Sequence, residues 1–144
     1  MQASVSVDIE APPERVWAVM CDAEAWPQWT ASVSDVRRLD TGHFDIGSRV
    51  RIKQPKFPPA VWTVESIEPG STFTWVAGGP GFRNVATHSV EPTATGSRAT
   101  LSIDQHGVIG ELFARLTADI TRRYLDLEAA GLKRRSEERQ PEGA

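Results

Sequence analysis

The sequence predicts an α+β fold in which a seven-stranded, curved antiparallel sheet wraps around a long C-terminal helix, with two short helices between strands 1 and 2. Three observations predict it. Residues 4–10 alternate strictly between apolar and polar; six further strand-like runs lie between regular glycine and proline breaks over residues 33–105; and after Gly107 the apolar period changes from two to about 3.6.

In the first run Val5, Val7 and Ile9 share one face and Ser6, Asp8 and Glu10 the other, which describes a half-buried strand. Pro12 and Pro13 then preset a helical φ, Glu14 complements the helix dipole, and Val16, Val19 and Met20 follow at helical spacing, so a short helix should run to about Cys21. Trp26-Pro27-Gln28-Trp29 sets two indoles around a proline, suited to a turn that plugs one end of a core.

The breaks that follow are Gly42, Gly47, the prolines at 55–59, Pro69-Gly70, the glycines at 78–81, and residues 92–96. Between them Val50 and Ile52 alternate with Arg49, Arg51 and Lys53; Trp62 and Val64 with Thr63 and Glu65; Phe73, Trp75 and Ala77 with Thr72 and Thr74. In the last two runs Phe82, Asn84, Ala86, His88 and Val90 share a phase, as do Ala99, Leu101, Ile103 and Gln105. Ile109, Leu112, Phe113, Leu116, Ile120, Tyr124 and Leu127 then form one helical stripe, opposite the acid-first pairs Glu111/Arg115 and Asp119/Arg123. This reads as a single long amphipathic helix, frayed near Gly131. Residues 1–137 should form one domain, and 138–144 a disordered tail.

Composition narrows the function classes. The chain has 144 residues, 40% of them hydrophobic and 24% charged, a balance that suits one globular domain and no membrane span. A net charge of −3 with both signs interspersed offers no footprint for a phosphate backbone, so nucleic acid is not an expected partner. A single cysteine, Cys21, excludes an internal disulfide, and the first ten residues carry no secretory pattern; a cytoplasmic location is expected. His43, His88 and His106 lie too far apart in sequence for a metal motif, and no cofactor motif is present, so no metal and no cofactor are expected.

A seven-stranded sheet is too wide for one helix, about 10 Å across, to cover flat. It must curve, and where sheet and helix diverge a space remains. Its predicted walls are apolar but interrupted by Asn84, His88, Gln105 and Tyr124, the usual make-up of a small-molecule pocket. The pattern resembles the START-like helix-grip superfamily (SRPBCC), more narrowly its polyketide cyclase/dehydrase and lipid-transport group. The resemblance rests on residues 9–17 (IEAPPERVW), Asp22 with Trp26-Pro27-Gln28-Trp29, Gly47-Ser48-Arg49-Val50, Thr87-His88 with Val90-Glu91-Pro92, and residues 96–101 (GSRATL). It covers about residues 3–135 and implies a fold shared by cyclases, lipid and hormone carriers and chaperone-associated domains.

His88 heads the candidate residues: its phase points it inward, where an imidazole serves as a hydrogen-bonded core residue, a ligand contact or a proton-transfer group. Asn84 lies four residues earlier on the same face. Tyr124 could donate to a ligand while its ring packs, and Trp62 and Trp75 could line a flat ring system. Phe113, Leu116 and Ile120 should exclude water from the helix side, with Phe57 on the proline-rich loop and Gly79 at the entrance. Arg83 has the outward phase and would turn inward only at a bulge. The leading reading is a protein that holds a hydrophobic or aromatic small molecule, lipid- or polyketide-like, between sheet and helix. The alternatives are a polyketide cyclase/dehydrase-type enzyme in which His88 or Tyr124 moves a proton, and a ligand-free interaction module. Unpaired sheet edges allow a monomer or a homodimer.

Overall fold

The computed structural model describes residues 1–138, so the expected disordered tail lies outside the described residues except for Glu138. In chain order the elements are β1 (Gln2–Ile9), α1 (Pro13–Cys21), a 3₁₀ helix (Ala23–Gln28), β2 (Asp35–Arg38), β3 (Arg49–Lys53), β4 (Ala60–Glu68), β5 (Thr72–Gly79), β6 (Phe82–Thr93), β7 (Gly96–His106), α2 (Val108–Leu116) and α3 (Ala118–Glu137). The strands form one open sheet in the order β1-β7-β6-β5-β4-β3-β2, and each neighbouring pair is antiparallel. This is the helix-grip architecture that the change of period predicts.

The alternation seen in sequence is the sheet's two faces. Phe73, Trp75 and Ala77 of β5 are buried, as are Ala86, His88 and Val90 of β6. The opposite face carries hydroxyl pairs across the strands, Thr72 with Ser89 at 2.9 Å and Thr74 with Thr87 at 3.1 Å, which satisfy one another where water also reaches. Register sets the inward residues in rows: Phe73, His88 and Leu101; Trp75, Ala86 and Ile103; Ala77, Asn84 and Gln105. Each row spans β5, β6 and β7, so groups far apart in sequence become lateral neighbours.

The expected single long helix is two. At Thr117 the backbone leaves the helical region, and its hydroxyl donates to the Phe113 carbonyl at 2.8 Å, capping α2 from within. The pieces pack differently because α2 uses its small residues, Gly110 and Ala114, to approach β6 and β7; a Cβ on Gly110 would sit 3.3 Å from Phe82. Its large apolar side chains consequently turn outward, with Val108 86%, Leu112 60% and Leu116 75% exposed. The apolar stripe predicts a buried face; close backbone approach decides otherwise.

Gly131 does not fray α3, which continues to Glu137. A Cβ there would run into the Trp29 carbonyl, so the glycine lets α3 settle against the segment after the 3₁₀ helix. Arg134 donates to that same carbonyl at 2.8 Å. The contact clamps the far half of α3 and leaves the near half to face the sheet across a gap.

Candidate functional site

Between α3, α2 and the concave sheet lies a cavity of about 490 Å³. Its sheet wall is built from the inward rows of β4 to β7, with Trp62 and Trp75 standing 5.9 Å apart between ring centroids. Trp26 closes the deep end, 5.4 Å from Trp75, its indole nitrogen donating to the Met20 carbonyl at 3.2 Å. The sequence places Trp26 as a plug; it also lines the space it plugs. Phe57 and Phe113 approach to 5.6 Å at the opposite end, where the exposed Pro58, Pro59 and Ile109 also border the cavity. The proline-rich loop and α2 therefore form its rim.

Few polar groups face this space. His88 lies face to face on Phe73 and edge-on to Trp75, and burial pushes its imidazole down to about 3, so the ring is neutral at physiological pH. Among the described residues no protein group pairs with its Nδ1 or with Asn84 Oδ1, although both atoms are buried. Two hydrogen-bonding atoms, on residues four apart along one strand, are thus left available at the cavity wall.

Tyr124 lines the cavity from α3, but its hydroxyl donates to the Pro55 carbonyl. That bond ties the helix to the rim loop and occupies the phenol proton. One turn further on, Glu128 opens into the cavity and accepts a hydrogen bond from Ser32 at 3.1 Å, Ser32 being paired in turn with Thr30 at 2.8 Å. Burial pushes the Glu128 carboxyl up to about 7, against the smaller opposing effect of the Ser32 bond. Sequence analysis does not single out Glu128, a lone acid between Leu127 and Ala129. The available signal is its spacing of four from Tyr124, which puts both on one face.

Of the residues the sequence singles out, Trp62, Trp75, Asn84, His88, Phe57, Phe113 and Tyr124 all border the cavity. Leu116 and Ile120 do not: Leu116 projects from the outer face of α2, and the turn beginning at Thr117 shifts the phase so that Thr121, Tyr124 and Leu125 face inward instead. Gly79 also lies off the lining. Its neighbour Gly78 borders the cavity, while the Phe82 ring covers Gly79, where a Cβ would stand 2.9 Å from Cε1. Arg83 points outward and forms an exposed pair with Glu65 at 2.9 Å. Cys21 is a poor nucleophile, its thiol pushed up to about 12 by burial.

Comparison with known proteins places this geometry. A START superfamily protein from Mycobacterium smegmatis superposes with a TM-score of 0.73 at 18% identity, over 94% of this chain and 97% of that one. The Zhui aromatase/cyclase from Streptomyces sp. R1128 gives 0.70 at 14% identity over 94% of each chain. TTHA0849 from Thermus thermophilus gives 0.75 at 19%, over 94% of this chain and 97% of that one. At these identities the likeness establishes the fold. No curated protein matches the sequence significantly. The model of one family, described as polyketide cyclase / dehydrase and lipid transport, matches residues 1–137.

Proposed function

The chain belongs to the polyketide cyclase/dehydrase and lipid-transport family, and on that premise we propose that it is a binding protein for a hydrophobic or aromatic small molecule held between sheet and α3. The observation that carries this reading is the cavity itself, of about 490 Å³, walled by three tryptophans yet offering two buried hydrogen-bonding atoms that have no partner among the described residues, His88 Nδ1 and Asn84 Oδ1. Apolar walls favour expulsion of water by a ligand, at roughly 25 cal/mol per Å² buried. A ligand that also pairs with His88 or Asn84 gains about 1 kcal/mol for each bond and relieves an unpaired buried group. Entry runs between the Phe57 loop and α2, where the rim is both exposed and apolar.

The enzyme reading is the weaker one. An imidazole at about 3 is a feeble base at neutral pH, and the Tyr124 hydroxyl is committed to the Pro55 carbonyl, so neither sequence candidate is poised to move a proton. Calorimetric titration with a panel of fatty alcohols, flavonoids and aromatic ketones tests the proposal. One-to-one binding with a negative heat-capacity change supports it. Failure of the whole panel to bind saturably overturns it.

A further inference from the structure

The cavity lining has an asymmetry of charge. Among the described residues it includes one carboxyl, Glu128, and no lysine or arginine; the His88 imidazole on β6, neutral at physiological pH, also lines it, as does Tyr124 on α3, whose hydroxyl is bonded to the Pro55 carbonyl. Ser32, on the loop after the 3₁₀ helix, occupies Oε1 of Glu128, and no hydrogen-bond donor among the described residues reaches Oε2. Trp26, Trp62, Trp75 and Tyr124 line the same cavity as the carboxyl, with Trp75 5.4 Å from Trp26 and 5.9 Å from Trp62 between ring centroids. A single carboxylate in a cavity lined by indoles, with no competing cation among the described lining residues, is the recognition chemistry of an ammonium group: an ion pair to the carboxylate and contact with ring quadrupoles.

We propose that Glu128 is the counter-charge for a ligand's ammonium group, so that the cavity selects hydrophobic amines over alcohols and acids of the same shape. This rests on the ligand-binding reading above and adds the ligand's charge to it. Anionic ligands such as fatty acids are disfavoured, because the lining would set a carboxylate beside Glu128 with nothing to neutralise either. Neutral ligands leave the protonation of Glu128 as it is in the free protein. A protonated amine instead draws the proton off Glu128 and pairs with it where water screens little.

Proton linkage gives the binding a signature. The free carboxyl titrates near 7, so below that value the amine must displace a proton in order to bind. Amine affinity should therefore fall by up to about tenfold for each pH unit below 7 and level off above it, while the affinity of a neutral isostere stays flat over the same range.

Three probes of one shape make the test: 1-naphthylmethylamine, 1-naphthalenemethanol and 1-naphthoic acid, titrated calorimetrically against the full chain and against Glu128→Gln at about pH 6 and pH 8, on either side of the carboxyl's midpoint. The amine is expected to bind the unaltered protein about tenfold more tightly than the alcohol at the higher pH, with the acid weakest. Glu128→Gln should abolish the amine's advantage and leave alcohol binding within about twofold. Should the variant not fold, the pH dependence of the amine-to-alcohol ratio in the unaltered protein decides alone. An alcohol that binds as tightly as the amine at the higher pH, or an amine advantage that survives in Glu128→Gln or does not change with pH, overturns the inference and leaves the ligand-binding reading standing. Binding of none of the three overturns the amine proposal; if the broader panel also fails, the cavity reading falls with it.

Discussion

The His88 imidazole lies parallel to the Phe73 ring, with 7° between their planes and 4.5 Å between centroids. The pairing follows from register, since the two residues sit directly opposite on β6 and β5. It places a titratable ring in an aromatic stack where its charged form is penalised.

Two desolvated groups, the buried His88 and the half-buried Glu128, give the fold an unusual dependence on pH. His88 is pushed down to about 3, so between that value and its ordinary 6.5 the unfolded chain binds a proton that the folded chain refuses, and stability falls as pH falls. Glu128 is pushed up to about 7, so between its ordinary 4.5 and that value the folded chain holds a proton that the unfolded chain releases, and stability falls as pH rises. The slopes oppose one another over the shared interval of 4.5 to 6.5. Chemical denaturation across pH should show each slope, about 1.4 kcal/mol per unit, once the other group is removed: Glu128→Gln loses stability on acidification below 6.5, and His88→Gln loses it on alkalinisation up to about 7. A flat profile in both variants would mean that neither group is desolvated as described.

Gly131→Ala should be strongly destabilising although alanine is the better helix former by about 1 kcal/mol. The added methyl meets the Trp29 carbonyl, a backbone atom that cannot rotate away, and pushes α3 off the clamp also made by Arg134. A loss of roughly 2 to 4 kcal/mol by urea denaturation is expected. A gain would return Gly131 to the role of a frayed position with no contact.

The inward set of β4 to β7 was legible in sequence because a period of two leaves only one face for Trp62, Trp75, Asn84 and His88 once their neighbours are polar. Two features were not legible, for separate reasons. The break at Thr117 interrupts an apolar stripe with no glycine or proline at the break itself, and it accompanies the close seating of α2 on Phe82 through Gly110. Glu128 is a single acid between Leu127 and Ala129 with no motif around it, and the docking of α3 against Trp29 turns it toward the cavity. Both are tertiary overrides of local pattern, and both fall on the helical wall of the cavity, the side assembled last in the chain.

The exposed face of α2 makes a prediction opposite to that of its stripe. Leu116→Gln should change the melting temperature little, because the leucine already stands in water, and should leave titrations of cavity ligands unaltered. Phe113→Ala, two-fifths exposed but touching Phe57 at the rim, should raise the dissociation constant instead. Equal effects of the two on binding would place Leu116 against the ligand after all.

Ala86 sits at the centre of the cavity's sheet wall, in the row between Trp75 and Ile103, and its methyl faces empty space. Ala86→Leu adds a bulky isopropyl group to that space. In a packed core such a change costs about 1 to 3 kcal/mol through overpacking. In a true hollow the new side chain finds room and buries its own surface, so thermal stability should hold or rise while ligand titrations lose their signal. The two measurements must diverge for the hollow to be real: a variant that loses stability and binding together has been overpacked, and one that keeps its ligand shows that the ligand lies elsewhere.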